Sequence, residues 1–108
     1  MTVRALAEAT GWRATALPAG EREVTGGYMG DLLSWVMGRA HGGDAWITIM
    51  SNQNIVAVAL LADVSCILLA EGVEPDEGVA ALAAQKGINL LQSPLSAYET
   101  ALRLRDVL

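Results

Sequence analysis

Few of the 108 residues have the chemistry to make or break a covalent bond. His41 stands in a Gly-rich turn three residues before Asp44, a spacing at which an imidazole could act as a base with the carboxylate as its orienter. Asp31 is the other carboxylate that could serve His41 in a small enzyme. A solvent-exposed turn histidine has the same appearance in sequence. Cys66, the single cysteine, falls in an apolar run, where a thiol behaves as a small hydrophobe. One cysteine excludes an internal disulfide framework and any multi-cysteine metal site. His41 with Asp31 or Asp44 shows no metal-ligand spacing either, so no metal is expected. There is no Gly-x-Ser-x-Gly nucleophile elbow. Lys86, the only lysine, sits in Gln85-Lys86-Gly87, so no Gly-Lys-Ser/Thr phosphate loop exists. The Gly-x-Gly-x-x-Gly dinucleotide fingerprint is absent too. These absences predict no catalytic residue and no cofactor, and leave recognition as the function.

Charge narrows the choice of partner. With 7 Lys+Arg against 12 Asp+Glu the formal net charge is −5, and the arginines are scattered. Phosphate backbones are held by clustered cations, so a nucleic-acid partner is not expected. The most apolar region, Ile55–Ala70, is interrupted by Asp63 and Ser65 and falls short of the roughly 20 apolar residues of a bilayer span. Met1–Thr10 has no unbroken apolar stretch of the signal-peptide kind. A chain that is 53% hydrophobic and 18% charged packs a core. The expectation is one cytoplasmic domain over residues 1–108 with no membrane partner.

The elements that must position any site follow from punctuation and period. Thr2 caps a predicted helix over Val3–Ala9, and Gly11 stops it. Trp12–Leu17 alternates like a strand, and Glu21–Val24 suits a short charged edge. Thr25–Gly30 reads as a glycine-rich loop, with Asp31 as N-cap of a helix over Leu32–Arg39. Ala45–Met50 is a β-branched and aromatic strand, Ser51–Asn54 a polar loop, and Ile55–Ala62 a helix apolar nearly all round. Val64–Leu69 reads as a strand covered on both faces. A helix over Asp76–Lys86, a short strand at Ile88–Leu91 and a last helix begun at Ser93-Pro94 or at Ser96, which forms a capping pair with Glu99, complete the chain. Strand–helix alternation at this spacing predicts an α/β fold with a mostly parallel sheet of about five strands.

In such a sheet ligands bind outside the carboxyl ends of the parallel strands. The loops expected at or near that edge are Thr25–Gly30, Met50–Asn54, Ala70–Gly72 and Gln92–Ser93. Thr25, Gly26, Gly27, Ser51, Asn52 and Asn54 are therefore the candidate ligand residues, suited to a small anionic metabolite or nucleotide through bare backbone and uncharged polar groups. Asp31 opposes that reading, since a carboxylate at a helix start repels phosphate. Polar side chains at caps and turns also need no ligand. Tyr28, Met29, Trp35 and Met37 are candidate interface residues, and a homodimer with two-fold symmetry is the expected assembly. The alternative is a ligand-free module that docks onto a protein partner.

Glu23-Val24-Thr25-Gly26-Gly27 resembles the motif of the DRTGG domain family, with Thr25, Gly26 and Gly27 matching, Glu23 in place of the aspartate and Val24 in place of the arginine. The segments Tyr28–Ser34, Trp46–Thr48, Asn54–Ala59 and Ala97–Glu99 continue the resemblance over nearly the whole chain. It implies a three-layer α/β/α sandwich similar to the amino-terminal domain of HPr kinase/phosphorylase. It also implies an accessory role, since such domains accompany CBS domains in some pyrophosphatases and precede phosphotransacetylase domains. Thr25, Gly26 and Gly27 carry over as motif positions without a settled chemical role.

Overall fold

Caps and glycines cut the chain into ten elements, seen for all of residues 1–108 in a computed structural model. They run α1 (Val3–Thr10), β1 (Arg13–Ala16), β2 (Gly26–Met29), α2 (Leu33–Arg39), β3 (Asp44–Thr48), α3 (Asn54–Ala62), β4 (Cys66–Leu69), α4 (Val79–Lys86), β5 (Leu90–Gln92) and α5 (Ala97–Val107). The capping signals act as their chemistry dictates. The Ala5 amide donates to the Thr2 hydroxyl at 3.0 Å, and Gly11 closes α1 at φ 74°. At α5 the Glu99 amide donates to the Ser96 hydroxyl at 3.1 Å.

The five strands form one sheet in the order β1-β5-β4-β3-β2. β2 through β5 are parallel, and β1 alone is antiparallel, against β5. Alternation along the strands divides the core in two. Trp46, Ile67, Leu69 and Leu90 face α2, α3 and α4, while Ala45, Ile47, Cys66, Leu68 and Leu91 face α1 and α5. The expected α/β/α sandwich with a mostly parallel five-stranded sheet is present. Because β2, β3, β4 and β5 are successive neighbours, all three crossover helices lie on one face. The parallel strands therefore never reverse their order, and the fold has no topological switch point to open a crevice.

Four sequence expectations need correction. Thr25–Gly30 is not a loop: Gly26–Met29 is an edge strand, tied to β3 from its start by the Thr25 amide donating to Gly43 O at 2.9 Å. Glycine scores poorly as a strand former, but here bare backbone is what the packing requires. Asp31 does not cap α2. Leu32 holds that position with no side-chain bond, and Asp31 turns toward β3. Glu21–Val24 forms only a single bridge, Glu23 to Thr2, because the chain there crosses over α1 rather than joining the sheet. The fourth helix begins at Val79 and not at Asp76, whose amide donates to Ser51 O at 2.9 Å while Gly78 turns the chain at φ 85°.

Candidate functional site

The carboxyl edge of the parallel strands is closed by its own side chains. The Ser51 hydroxyl donates to Asp76 Oδ1 at 2.8 Å, and the Gly72 amide donates to Ser93 O at 3.0 Å. Glu71, at φ 62°, accepts the Ala97 amide at 2.7 Å and so stands at the N-terminus of α5, where a carboxylate is favoured. The Gln92 side-chain amide donates to Val73 O at 3.2 Å and to Glu74 Oε2 at 3.1 Å. Asp31, Glu71, Glu74 and Asp76 make this edge acidic. The only ion pair among them is the 4.0 Å approach of Arg13 to Glu74, and the field disfavours an anion there.

Thr25, Gly26 and Gly27 lie at the opposite end of the sheet. Gly26 pairs with Asp44 at the start of β3, whereas Ser51–Asn54 follow its end. Five residues of strand, about 3.3 Å each, separate the two groups, so one small ligand does not span them. The bare faces of the motif glycines meet the chain itself. A Cβ on Gly26 would stand 2.9 Å from Asp44 Oδ1, and one on Gly27 would stand 2.9 Å from Leu104 Cδ2. Thr25 Oγ1 lies where a Cβ on Gly43 would project. The Thr-Gly-Gly run thus lets the edge strand pass close to β3 and α5.

His41 is almost wholly exposed, and its Nδ1 lies 3.9 Å from Asp44 Oδ2, beyond hydrogen-bond reach. That Asp44 oxygen instead accepts the His41 backbone amide at 2.8 Å, closing the turn before β3. Asp31 sits at the far end of the sheet. Cys66 is fully buried in β4, and burial pushes its thiol up to about 12 despite the opposing field of Arg22.

Two open grooves remain. The first, about 340 Å³, runs between α3 and α4 and is lined by Gln53, Asn54, Val56, Ala57, Leu60, Leu82 and Lys86. Its floor is apolar. Gln53 and Asn54 stand at the start of α3 and Lys86 at the end of α4. Asn52 sets the entry to α3, its Oδ1 accepting the Asn54 amide at 2.9 Å. Lys86 makes no ion pair, whereas Arg4, Arg13, Arg22 and Arg105 each meet a carboxylate. Asn54 is among the ligand candidates expected from the sequence, and Lys86 is not. Its recurrence four positions after Leu82 on a helix was the available signal.

The second groove, about 330 Å³, lies between β2 and α5 and is lined by Gly27, Tyr28, Met29, Ile47, Ala101, Leu104, Arg105 and Leu108. The four candidate interface residues are not one patch. Met29 faces α5 and is 53% exposed, while Tyr28 packs on the opposite face of the sheet. Trp35 carries the Arg39 guanidinium 3.6 Å from its ring centroid. Met37, two residues further along α2, points away from Trp35.

The DRTGG domain family profile matches residues 30–107. The chain belongs to the DRTGG domain family. The match begins after Thr25-Gly26-Gly27 and runs from α2 through α5. The fold is similar to a crystal structure of the CBS and DRTGG domains of the regulatory region of Clostridium perfringens pyrophosphatase, complexed with its activator, diadenosine tetraphosphate. The TM-score is 0.66 at 19% identity, covering 95% of this chain and 45% of that one. The DRTGG chain described here therefore spans less than half of that neighbour. No curated protein sequence matches it. No helix is long and apolar enough to cross a membrane.

Proposed function

We propose that this DRTGG domain is a non-catalytic regulatory module that senses a small amphipathic anion in the α3–α4 groove and self-associates. The observation that carries the reading is the groove itself, where an apolar floor joins the Asn54 amide to the chain's one lysine, free of any carboxylate. Apolar walls with a few placed polar groups are the usual anatomy of a ligand site. One ammonium beside two neutral amide side chains suits a single anionic group and not a chain of them. The ligand class is accordingly a nucleoside monophosphate, or another flat body bearing one anion, rather than a polyphosphate. Family membership supports the regulatory role, and the neighbour's regulatory region is one that a nucleotide activates. The candidate residues Ser51 and Asn52 act here by shaping the loop that enters α3, and Thr25, Gly26 and Gly27 by positioning the edge strand.

A thermal-shift panel of nucleoside mono-, di- and triphosphates tests the reading. A ligand at 100 times its Kd stabilises by about 2.7 kcal/mol, which raises the melting temperature of a domain this size by roughly 10 °C. Lys86→Ala should remove the shift and leave the melting temperature of the free domain unchanged. A panel that moves nothing removes the sensing role. A second reading, a docking module for a protein partner, is favoured by the half-exposed Leu32 and Trp35 beside α2. Trp35→Ala with loss of a co-purifying partner supports that reading.

A further inference from the structure

We infer that β2 pairs antiparallel with β2 of a second copy about a two-fold axis at Tyr28, each Met29 filling the groove over the other copy's Gly27. The pairing rests on the self-association proposed above and gives it a surface. β2 is the last strand of the sheet, so one side of it has no partner. At the end of the strand the Gly30 amide donates to Ile47 O on the β3 side at 3.1 Å. With the register Gly26–Asp44 to Met29–Ile47, strand alternation sets Gly26 and Tyr28 toward β3 and turns the Gly27 and Met29 amides and carbonyls to the open side. Natural edge strands are usually guarded by lysine, proline or a bulge. Gly26-Gly27-Tyr28-Met29 has none of these, and its ladder to β3 is regular.

The second copy is the occupant because both halves of the fit belong to this one edge. Gly27 and Met29 share the face that looks onto α5, one without a side chain and the other with a side chain 53% exposed. A two-fold axis normal to the sheet at Tyr28 sets Tyr28 opposite its own mate and Gly27 opposite Met29. The methionine then enters the apolar groove formed by Ile47, Ala101, Leu104 and Leu108. Charges complete the match. Arg105 lines the groove and follows Leu104, the residue that meets Gly27, with its guanidinium 3.0 Å from Asp106 of the same chain. Asp31, two residues beyond Met29, uses only Oδ1 for its internal bonds. The antiparallel register brings the Arg105 end of each strand to the Asp31 end of the other, twice, across a strip with no charge. Two chains of net charge −5 thereby meet on neutral backbone flanked by opposite charges. The result is one continuous ten-stranded sheet.

Analytical ultracentrifugation of the whole chain tests the pairing. The wild type should sediment as two 11.3 kDa copies. Met29→Lys should sediment as one, with unchanged circular dichroism and melting. Tyr28→Cys should form an intermolecular disulfide on mild oxidation, because a non-hydrogen-bonded antiparallel pair sets its Cα atoms about 4.5 Å apart, within disulfide reach. A dimer that survives Met29→Lys and does not crosslink through position 28 overturns this pairing while leaving self-association intact. A wild type that remains a single copy at every concentration overturns both.

Discussion

Asp31 Oδ1 accepts two hydrogen bonds, from the Thr48 hydroxyl at 2.8 Å and from the Ile49 amide at 3.0 Å, and so ties the end of β2 to the end of β3. The Trp46 indole completes the clasp by donating to Gly30 O at 2.9 Å. The edge strand is therefore held at its carboxyl end by side chains and at its start by backbone.

Removing the clasp should cost stability. Asp31→Ala leaves the Thr48 hydroxyl, in a residue only 2% exposed, without its acceptor. The expected loss is about 1–3 kcal/mol by urea unfolding. Asp31→Asn keeps an acceptor oxygen at the same place and should lose less than half as much. Equal losses for the two variants would show that the bonds to Oδ1 do not matter.

Gly43 and Gly27 should respond differently to an added methyl group. Gly43 is at φ 91° with Thr25 Oγ1 in the space a Cβ would take. Gly43→Ala therefore combines left-handed backbone strain with overpacking and should destabilise by about 2 kcal/mol or more. Gly27→Ala crowds the far end of Leu104, which can rotate, and meets Ala45 O at an ordinary 3.6 Å, so it should cost about 1 kcal/mol. Thermal melts of the two variants side by side decide the ranking. Gly43→Ser/Thr25→Ala would separate strain from crowding.

Cys66 gives a pH dependence of definite sign. Its thiol is held protonated to about 12 by burial, against an ordinary value of 9.0 in the unfolded chain. Between these values the unfolded state binds fewer protons than the folded one, so stability falls as pH rises from about 9 toward 12. The full loss is on the order of 4 kcal/mol. Below pH 9 both states are protonated and the thiol contributes no slope. Cys66→Ala should flatten the alkaline limb measured by urea unfolding at stepped pH, relative to the wild type. An identical slope in the variant would assign the loss to other groups.

The α/β class, the parallel sheet and most helix limits were legible because each rests on local chemistry. Thr2 and Ser96 cap, Gly11 and Gly87 stop, and the apolar run through Cys66–Leu69 permits only a strand covered on both faces. The glycine segment misled for a physical reason. Gly26 and Gly27 lack side chains because Asp44 and Leu104 press on them, and both neighbours come from elements distant in sequence. Asp31 misled similarly, since a carboxylate ahead of a helix scores as a cap whether it turns back to the helix or across to Thr48. The expected ligand edge depended on a strand-order reversal that sequence does not encode locally. The α3–α4 groove was visible only in part, because Asn54 and Lys86 come to line one groove only through the packing of two helices.

Lys86 and Asn54 carry the central claim, that this domain works by recognising a small anion between α3 and α4. Amide-resolved NMR during titration with a nucleoside monophosphate addresses it most directly. Shifts should concentrate at Gln53, Asn54, Ala57, Leu82 and Lys86 and vanish in Lys86→Ala. A spectrum that stays unchanged to millimolar ligand, or that shifts only at the acidic edge around Asp31 and Asp76, would contradict it.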